Sequence, residues 1–101
     1  MKKKDRLPPI HPGEILREEF LNPLGLSANQ LAIALRVPAT RINEILNEKR
    51  GISADTALRL SRYFATTPKF WLSLQVSFEL ELAEDRAGKA VLREVLPLHA
   101  A

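Results

Sequence analysis

Between Ala39 and Glu44 the chain sets out side chains that can read base edges. Arg41 carries a planar fork that matches the paired acceptors O6 and N7 of guanine, and Thr40 can donate to a base or touch a thymine methyl. Glu44 can accept from cytosine N4, or it can pair with Arg41 or with the cations beside Lys49. Ala39 and Asn43 complete the set expected to face bases. A second set suits phosphates. Ser27, Ala28 and Asn29 stand at a helix start, where backbone N–H groups point outward, and Lys49 and Arg50 lie in the basic loop that follows.

Such residues need a frame, and residues 27–45, SANQLAIALRVPATRINEI, supply one. Leu31 and Leu35 are one helical turn apart, and so are Ile42 and Ile45, so each pair lines one face. Val37 falls in the turn between them, and Ala32 is small enough for a close crossing. This is the pattern of a helix-turn-helix, whose second helix can enter the DNA major groove. Two amphipathic helices of an unrelated bundle are the other reading. The agreement of the apolar positions, the small position and the turn weighs against it.

Composition bounds the rest. A chain of 101 residues with 46% hydrophobic content makes one domain with one modest core. Helix-period apolar residues run through most of it, so the class is all-α. There is no cysteine, which excludes a disulfide framework and a Cys-ligated metal site and suits a reducing cytoplasm. No apolar run reaches the ~18 residues of a membrane span, and no signal-peptide core follows the basic residues 1–4. Residues 1–62 hold 11 Lys/Arg against 7 Asp/Glu, whereas residues 63–101 hold 4 against 5. The positive field that attracts phosphates therefore belongs to the helix-turn-helix half.

Five helices and two tails are expected. Residues 1–10 form a basic, flexible tail in which Lys2, Lys3 and Lys4 either add nonspecific affinity for DNA or only aid solubility. The first helix takes His11 as its cap and Pro12 as its first residue, buries Ile15, Leu16 and Phe20, and ends before Pro23. Ser27 and Gln30 have the spacing of a capping box for the second helix, which runs to about Arg36. The third covers roughly residues 39–47. Ser53 caps the fourth, which turns Ala57, Leu60, Ser61 and Phe64 inward. Thr67-Pro68 opens the fifth, which reaches Glu84 or beyond, and periodicity leaves residues 88–96 open between helix and strand. The expected units are residues 11–66 for DNA binding and residues 67–101 for dimerisation. On the fifth helix Trp71 closes the monomer core against Phe64, while Phe78, Leu80 and Leu82 are left for a partner copy.

An enzyme is disfavoured. His11 and His99 stand near opposite ends, and neither has a second His or Cys at metal-ligand spacing. Glu84 and Asp85 read as a surface pair, and no phosphate-cradling glycine loop or nucleophile setting occurs. No cofactor and no metal are expected.

The segments HPGEILREEFLNPLGLS (11–27), the helix-turn-helix, NEKRGISADTALRLSRYF (47–64) and TTPKFWLSLQ (66–75) together resemble HigA-type antitoxins of toxin–antitoxin modules. These are part of the phage-repressor-like helix-turn-helix family. The resemblance implies a five-helix domain with a C-terminal dimerisation helix. It also implies a cytoplasmic homodimeric repressor that binds double-stranded operator DNA of its own operon and neutralises a RelE-like (HigB-type) ribonuclease toxin. A stand-alone repressor without a toxin is the alternative. Any toxin contact is expected on folded surface near the first helix, at residues such as Arg17 and Glu18. One departure concerns the turn, where Arg36 stands at a position often occupied by glycine, so a reshaped turn is expected.

Overall fold

The computed structural model describes residues 8–99, which form helices and connecting turns with no strand among them. Residues 1–7, with most of the expected basic tail, and residues 100–101 lie outside the described residues. Helix α1 opens as Pro12–Ile15, widens into π-helical turns over Leu16–Leu21 and closes with Asn22–Leu24. Helix α2 is Ala28–Leu35, α3 is Ala39–Leu46, α4 is Ala54–Phe64 and α5 is Pro68–Glu94.

The helix starts follow from local chemistry. His11 Nδ1 accepts from the Gly13 N–H at 2.9 Å. Ser27 and Gln30 form the full reciprocal box, with the Ser27 Oγ accepting at 3.0 Å and the Gln30 Oε1 at 2.9 Å. Ser53 and Thr67 accept from the N–H groups of Thr56 and Phe70. Each satisfies a donor that a helix start leaves without an intrahelical partner.

The ends were harder to foresee. α1 does not stop before Pro23 but runs on through Leu24. Proline lacks an N–H, and in a tight helix its ring presses on the carbonyl four residues back. Here the turns just before it are widened, and the Asn22 N–H donates to the Arg17 carbonyl five residues back, which makes room for the ring. α2 ends one residue earlier than expected because Arg36 has left the helix for a left-handed backbone, φ 60°. The turn is therefore not reshaped to suit arginine. The Val37 N–H donates to the Ala32 carbonyl at 3.0 Å, the six-to-one bond of a Schellman end. The same bond closes α1 at Gly25, α3 at Glu48 and α4 at Ala65, and only the first of these left-handed residues is a glycine.

Residues 88–96, left open by periodicity, continue α5 as helix as far as Glu94. The core gathers Leu16 and Leu21 of α1, Leu31, Ala32 and Leu35 of α2, Ile42 and Ile45 of α3, and Ala57 and Leu60 of α4. Trp71 of α5 closes it, fully buried, with its ring 4.9 Å from Phe20 and 6.4 Å from Phe64, and its indole N–H donating to the Thr66 hydroxyl at 2.8 Å. Val37 packs against the same core from the turn, as its place between the helices requires.

Candidate nucleic-acid interface

Burial of Ile42 and Ile45 fixes how α3 is rotated, because both lie on the face toward the core. Thr40 and Asn43 are then exposed, while Ala39, Arg41 and Glu44 are half-buried along the flanks. α3 is also fixed along its axis. Gly13 of α1 lies so close to the Ile45 carbonyl that a Cβ there would collide with it. Arg17, also of α1, reaches the open end of α3 and donates from Nη1 to the Leu46 carbonyl at 2.6 Å. A cation on the last carbonyls of a helix meets both their hydrogen-bond need and the negative end of the helix dipole. Arg59 of α4 does the same for α2, donating to the Leu35 carbonyl at 2.9 Å. Each helix of the helix-turn-helix is thus held at its C-terminal end by an arginine of another helix.

Arg17 was expected as an exposed residue for a partner. It is instead half-buried and engaged with Leu46, with Glu18 at 3.0 Å and with Glu48 at 3.8 Å. Glu18 is exposed as expected.

The candidate base-reading residues are not equivalent. The Thr40 side chain is open to solvent. Asn43 is exposed but donates from Nδ2 to the Ala39 carbonyl at 3.0 Å. The Arg41 Nη1 lies 2.8 Å from the Asp55 Oδ2, and the Arg59 Nε lies 3.0 Å from the same oxygen. These two guanidinium groups, Arg41 first and Arg59 second, hold the Asp55 carboxyl below its ordinary value. With Arg41 so occupied, Glu44 pairs with Arg50 at 2.7 Å, one of the outcomes its sequence position allowed. Both of those side chains are about half exposed, a setting in which an ion pair contributes little.

The phosphate candidates flank this face. The Ser27 hydroxyl and N–H are both used in the capping box. Ala28 and Asn29 retain the backbone N–H groups that the first turn of a helix leaves without an intrahelical acceptor. Lys49 is exposed and has no ion pair among the described residues, whereas Arg50 is shared with Glu44.

Sequence reasoning put Asp55 in the first turn of its helix and Gln75 on the fifth helix, but it missed the contacts of both and of Arg59. The Gln75 amide is buried, accepts from the Ile52 N–H at 2.7 Å and donates to Glu79 at 2.7 Å. It anchors the loop between α3 and α4, and Gly51 lies so close to it that any side chain there would crowd the amide. A signal existed, since Gln75 lies one turn from Trp71 on the inner face of α5. Among the described residues no group of acidic, His or Cys side chains is placed to hold a metal ion. No helix among them is long and apolar enough to cross a membrane.

Comparison with known proteins gives a consistent picture. A family model described as helix-turn-helix matches residues 16–71. Virulence-associated protein I of Dichelobacter nodosus is 54% identical over 95 residues, which covers 94% of this chain and 86% of that protein. The solved structure of Pseudomonas aeruginosa antitoxin HigA with the higBA promoter is 50% identical with a TM-score of 0.87, covering 90% of this chain and 99% of that one. Antitoxin GraA in complex with its operator is also 50% identical, with a TM-score of 0.88, and covers 98% of this chain and 100% of its own.

Proposed function

This chain belongs to the helix-turn-helix family, among its HigA-type antitoxins, and from that premise we propose that it is a homodimeric repressor of its own operon that also neutralises a RelE-like (HigB-type) toxin. The observation that carries DNA binding is the rotation of α3. Ile42 and Ile45 are buried, Thr40 and Asn43 stand on the side away from the core, and Arg41 lies half-buried on the flank. Two proteins half identical in sequence, and alike over nearly their whole length, are seen with promoter or operator DNA.

In this reading α3 lies in the major groove. Ala39, Thr40, Arg41, Asn43 and Glu44 face base edges, with Thr40 and Arg41 carrying most of the discrimination. The start of α2 at Ser27, Ala28 and Asn29 sits on one phosphate strand, and Lys49 and Arg50 sit on the other. Half-sites lie about one helical turn apart, about 34–36 Å, which requires two copies in fixed relation. The dimer contact is assigned to α5, where Leu80 is 58% exposed and Leu82 is half-buried. Phe78 contributes only its outer face, because its ring packs edge-on against His11 at 4.8 Å.

The toxin-neutralising surface is assigned to folded residues near α1. Since Arg17 is spent on α3, the exposed acids Glu18 and Glu19 are the better representatives of that surface.

The deciding experiment is a gel shift of the full chain on the DNA upstream of its own gene, with scrambled duplex as competitor. A retarded complex that survives the competitor is expected. No preference for the upstream DNA would refute the repressor reading. A short basic reading frame beside the gene, whose toxicity this chain suppresses on co-expression, tests the antitoxin half separately.

A further inference from the structure

Arg41 is held before any DNA arrives. Its side chain is 28% exposed, and its Nη1 is bound 2.8 Å from the Asp55 Oδ2. Asp55, itself about half exposed, is held by a second cation as well. The residue sits in the first turn of α4, behind the Ser53 cap. Arg59, one turn further on, grips the same carboxylate oxygen at 3.0 Å while its Nη1 is fixed on the Leu35 carbonyl. The chain of contacts therefore runs from the end of α2, through Arg59 and Asp55, to the start of α3. It joins both helices of the helix-turn-helix through one carboxylate.

An arginine has five N–H donors in a rigid plane, and a bidentate grip on guanine needs only two of them. A long side chain that must order itself on the DNA loses its rotamer freedom at that step. One already anchored through a single donor loses less, and it presents the remaining donors in one direction.

We propose that Asp55 is a positioning residue for base recognition: its carboxylate, steadied by Arg59, fixes the Arg41 guanidinium at the start of α3 so that the rest of the fork meets the base pair in one orientation. Asp55 itself touches no DNA in this scheme and, being an anion near phosphates, opposes binding in general. It therefore trades total affinity for discrimination. This inference rests on the reading that α3 faces the bases.

The test is the ratio of affinities for operator and scrambled duplex, measured for the full chain carrying Arg41→Ala, Asp55→Asn, and both. Arg41→Ala should lower the ratio by a factor on the order of 10 per half-site. Asp55→Asn should lower it comparably while raising affinity for scrambled duplex, and the double variant should fall no further than Arg41→Ala alone. Thr67→Ala loosens the start of α5, away from Arg41, Asp55 and Arg59, so it should lower the unfolding midpoint and leave the ratio intact. Additive losses in the double variant, an unchanged ratio for Asp55→Asn, or a raised one would each overturn the proposal. If Arg41→Ala itself leaves the ratio unchanged, the reading face of α3 is misassigned and the proposal falls with it. A loss for Arg41→Ala without one for Asp55→Asn sinks the positioning role alone.

Discussion

The part of the molecule around the helix-turn-helix and the distal half of α5 are built on different terms. In the first, the cap side chains, the arginines on helix ends and the Gln75 amide satisfy polar groups, and no buried side-chain nitrogen or oxygen among the described residues is without a partner. In the second, one helix extends past the core with Leu80, Val91 and Leu92 exposed at 58%, 52% and 82%. The whole measures 55 × 28 × 22 Å, the long dimension being what a helix of 27 residues, about 40 Å at its usual rise, adds to a small core. An isolated helix of that kind gains little from propensity alone. The difference teaches where polar and apolar groups are satisfied within one chain and where apolar side chains stay open to solvent.

Trp71 and Leu92 put the contrast to its largest test. Trp71→Ala removes the ring that closes the core and should cost about 3–5 kcal/mol in chemical denaturation. Leu92→Ala, on the exposed stretch, should leave the stability of a dilute sample within about 0.5 kcal/mol and act only on association, as read by sedimentation. A core-sized loss from Leu92→Ala would erase the distinction between the two regions.

The same contrast appears in glycines. Gly13→Ala forces a methyl group against the Ile45 backbone, which cannot yield without moving α3, and should cost about 3 kcal/mol. Because α3 moves with it, operator binding should suffer beyond what the loss of folded protein explains. A gel shift corrected for folded fraction measures this.

A smaller effect comes from His11. Burial lowers its pKa from the ordinary 6.5, against an opposing pull from Glu48. The neutral ring is the one that can accept from the Gly13 N–H. A folded-state pKa below the unfolded one means the unfolded chain takes up the proton first. The contribution is therefore whole above pH 6.5 and is lost as pH falls from there through the lowered folded value. Unfolding midpoints should drop over that window, and His11→Asn, which keeps a capping acceptor but does not titrate, should flatten the drop.

What the sequence made legible was local. The caps at His11, Ser27, Ser53 and Thr67 sit within three residues of the groups they serve, and the apolar pairs of the helix-turn-helix are a turn apart. Both signals depend on spacing along the chain. The arginine bridges do not. Arg17 and Leu46 are 29 residues apart, Arg59 and Leu35 are 24, and Arg41 and Asp55 are 14. Nothing in the spacing told Arg17 from an ordinary surface cation, so it was expected exposed. The widened turns of α1 were hidden for a related reason. Pro23 announced a conflict, but whether the chain answers it by ending the helix or by loosening it depends on what α1 packs against.

Gly88 offers the smallest effect and the one with reversed sign. It lies in the middle of α5 yet has only the Glu84 Cβ, at 3.9 Å, near the place a side chain would occupy. No φ > 0 turn and no close backbone requires a glycine there. In one copy of the chain, Gly88→Ala should therefore stabilise the helix by up to about 1 kcal/mol, chiefly through reduced backbone freedom in the unfolded chain. Circular dichroism of a dilute sample should show a gain in helicity and a slightly higher melting temperature. The same substitution that wrecks the packing at Gly13 is then favourable at Gly88, as a packed core and a solvent-facing helix require. Gly88 also stands with Ala83 and Ala87 along a shallow groove completed by Glu84, Lys89, Val91 and Leu92, and at those three small residues a second helix could approach closely. If Gly88→Ala raises helicity but weakens self-association, the partner copy lies along that groove. If both rise together, the contact lies nearer Leu80, as assigned. A fall in helicity at low concentration would mean that α5 already depends on a neighbour at Gly88, and the division between the two regions would have to be redrawn.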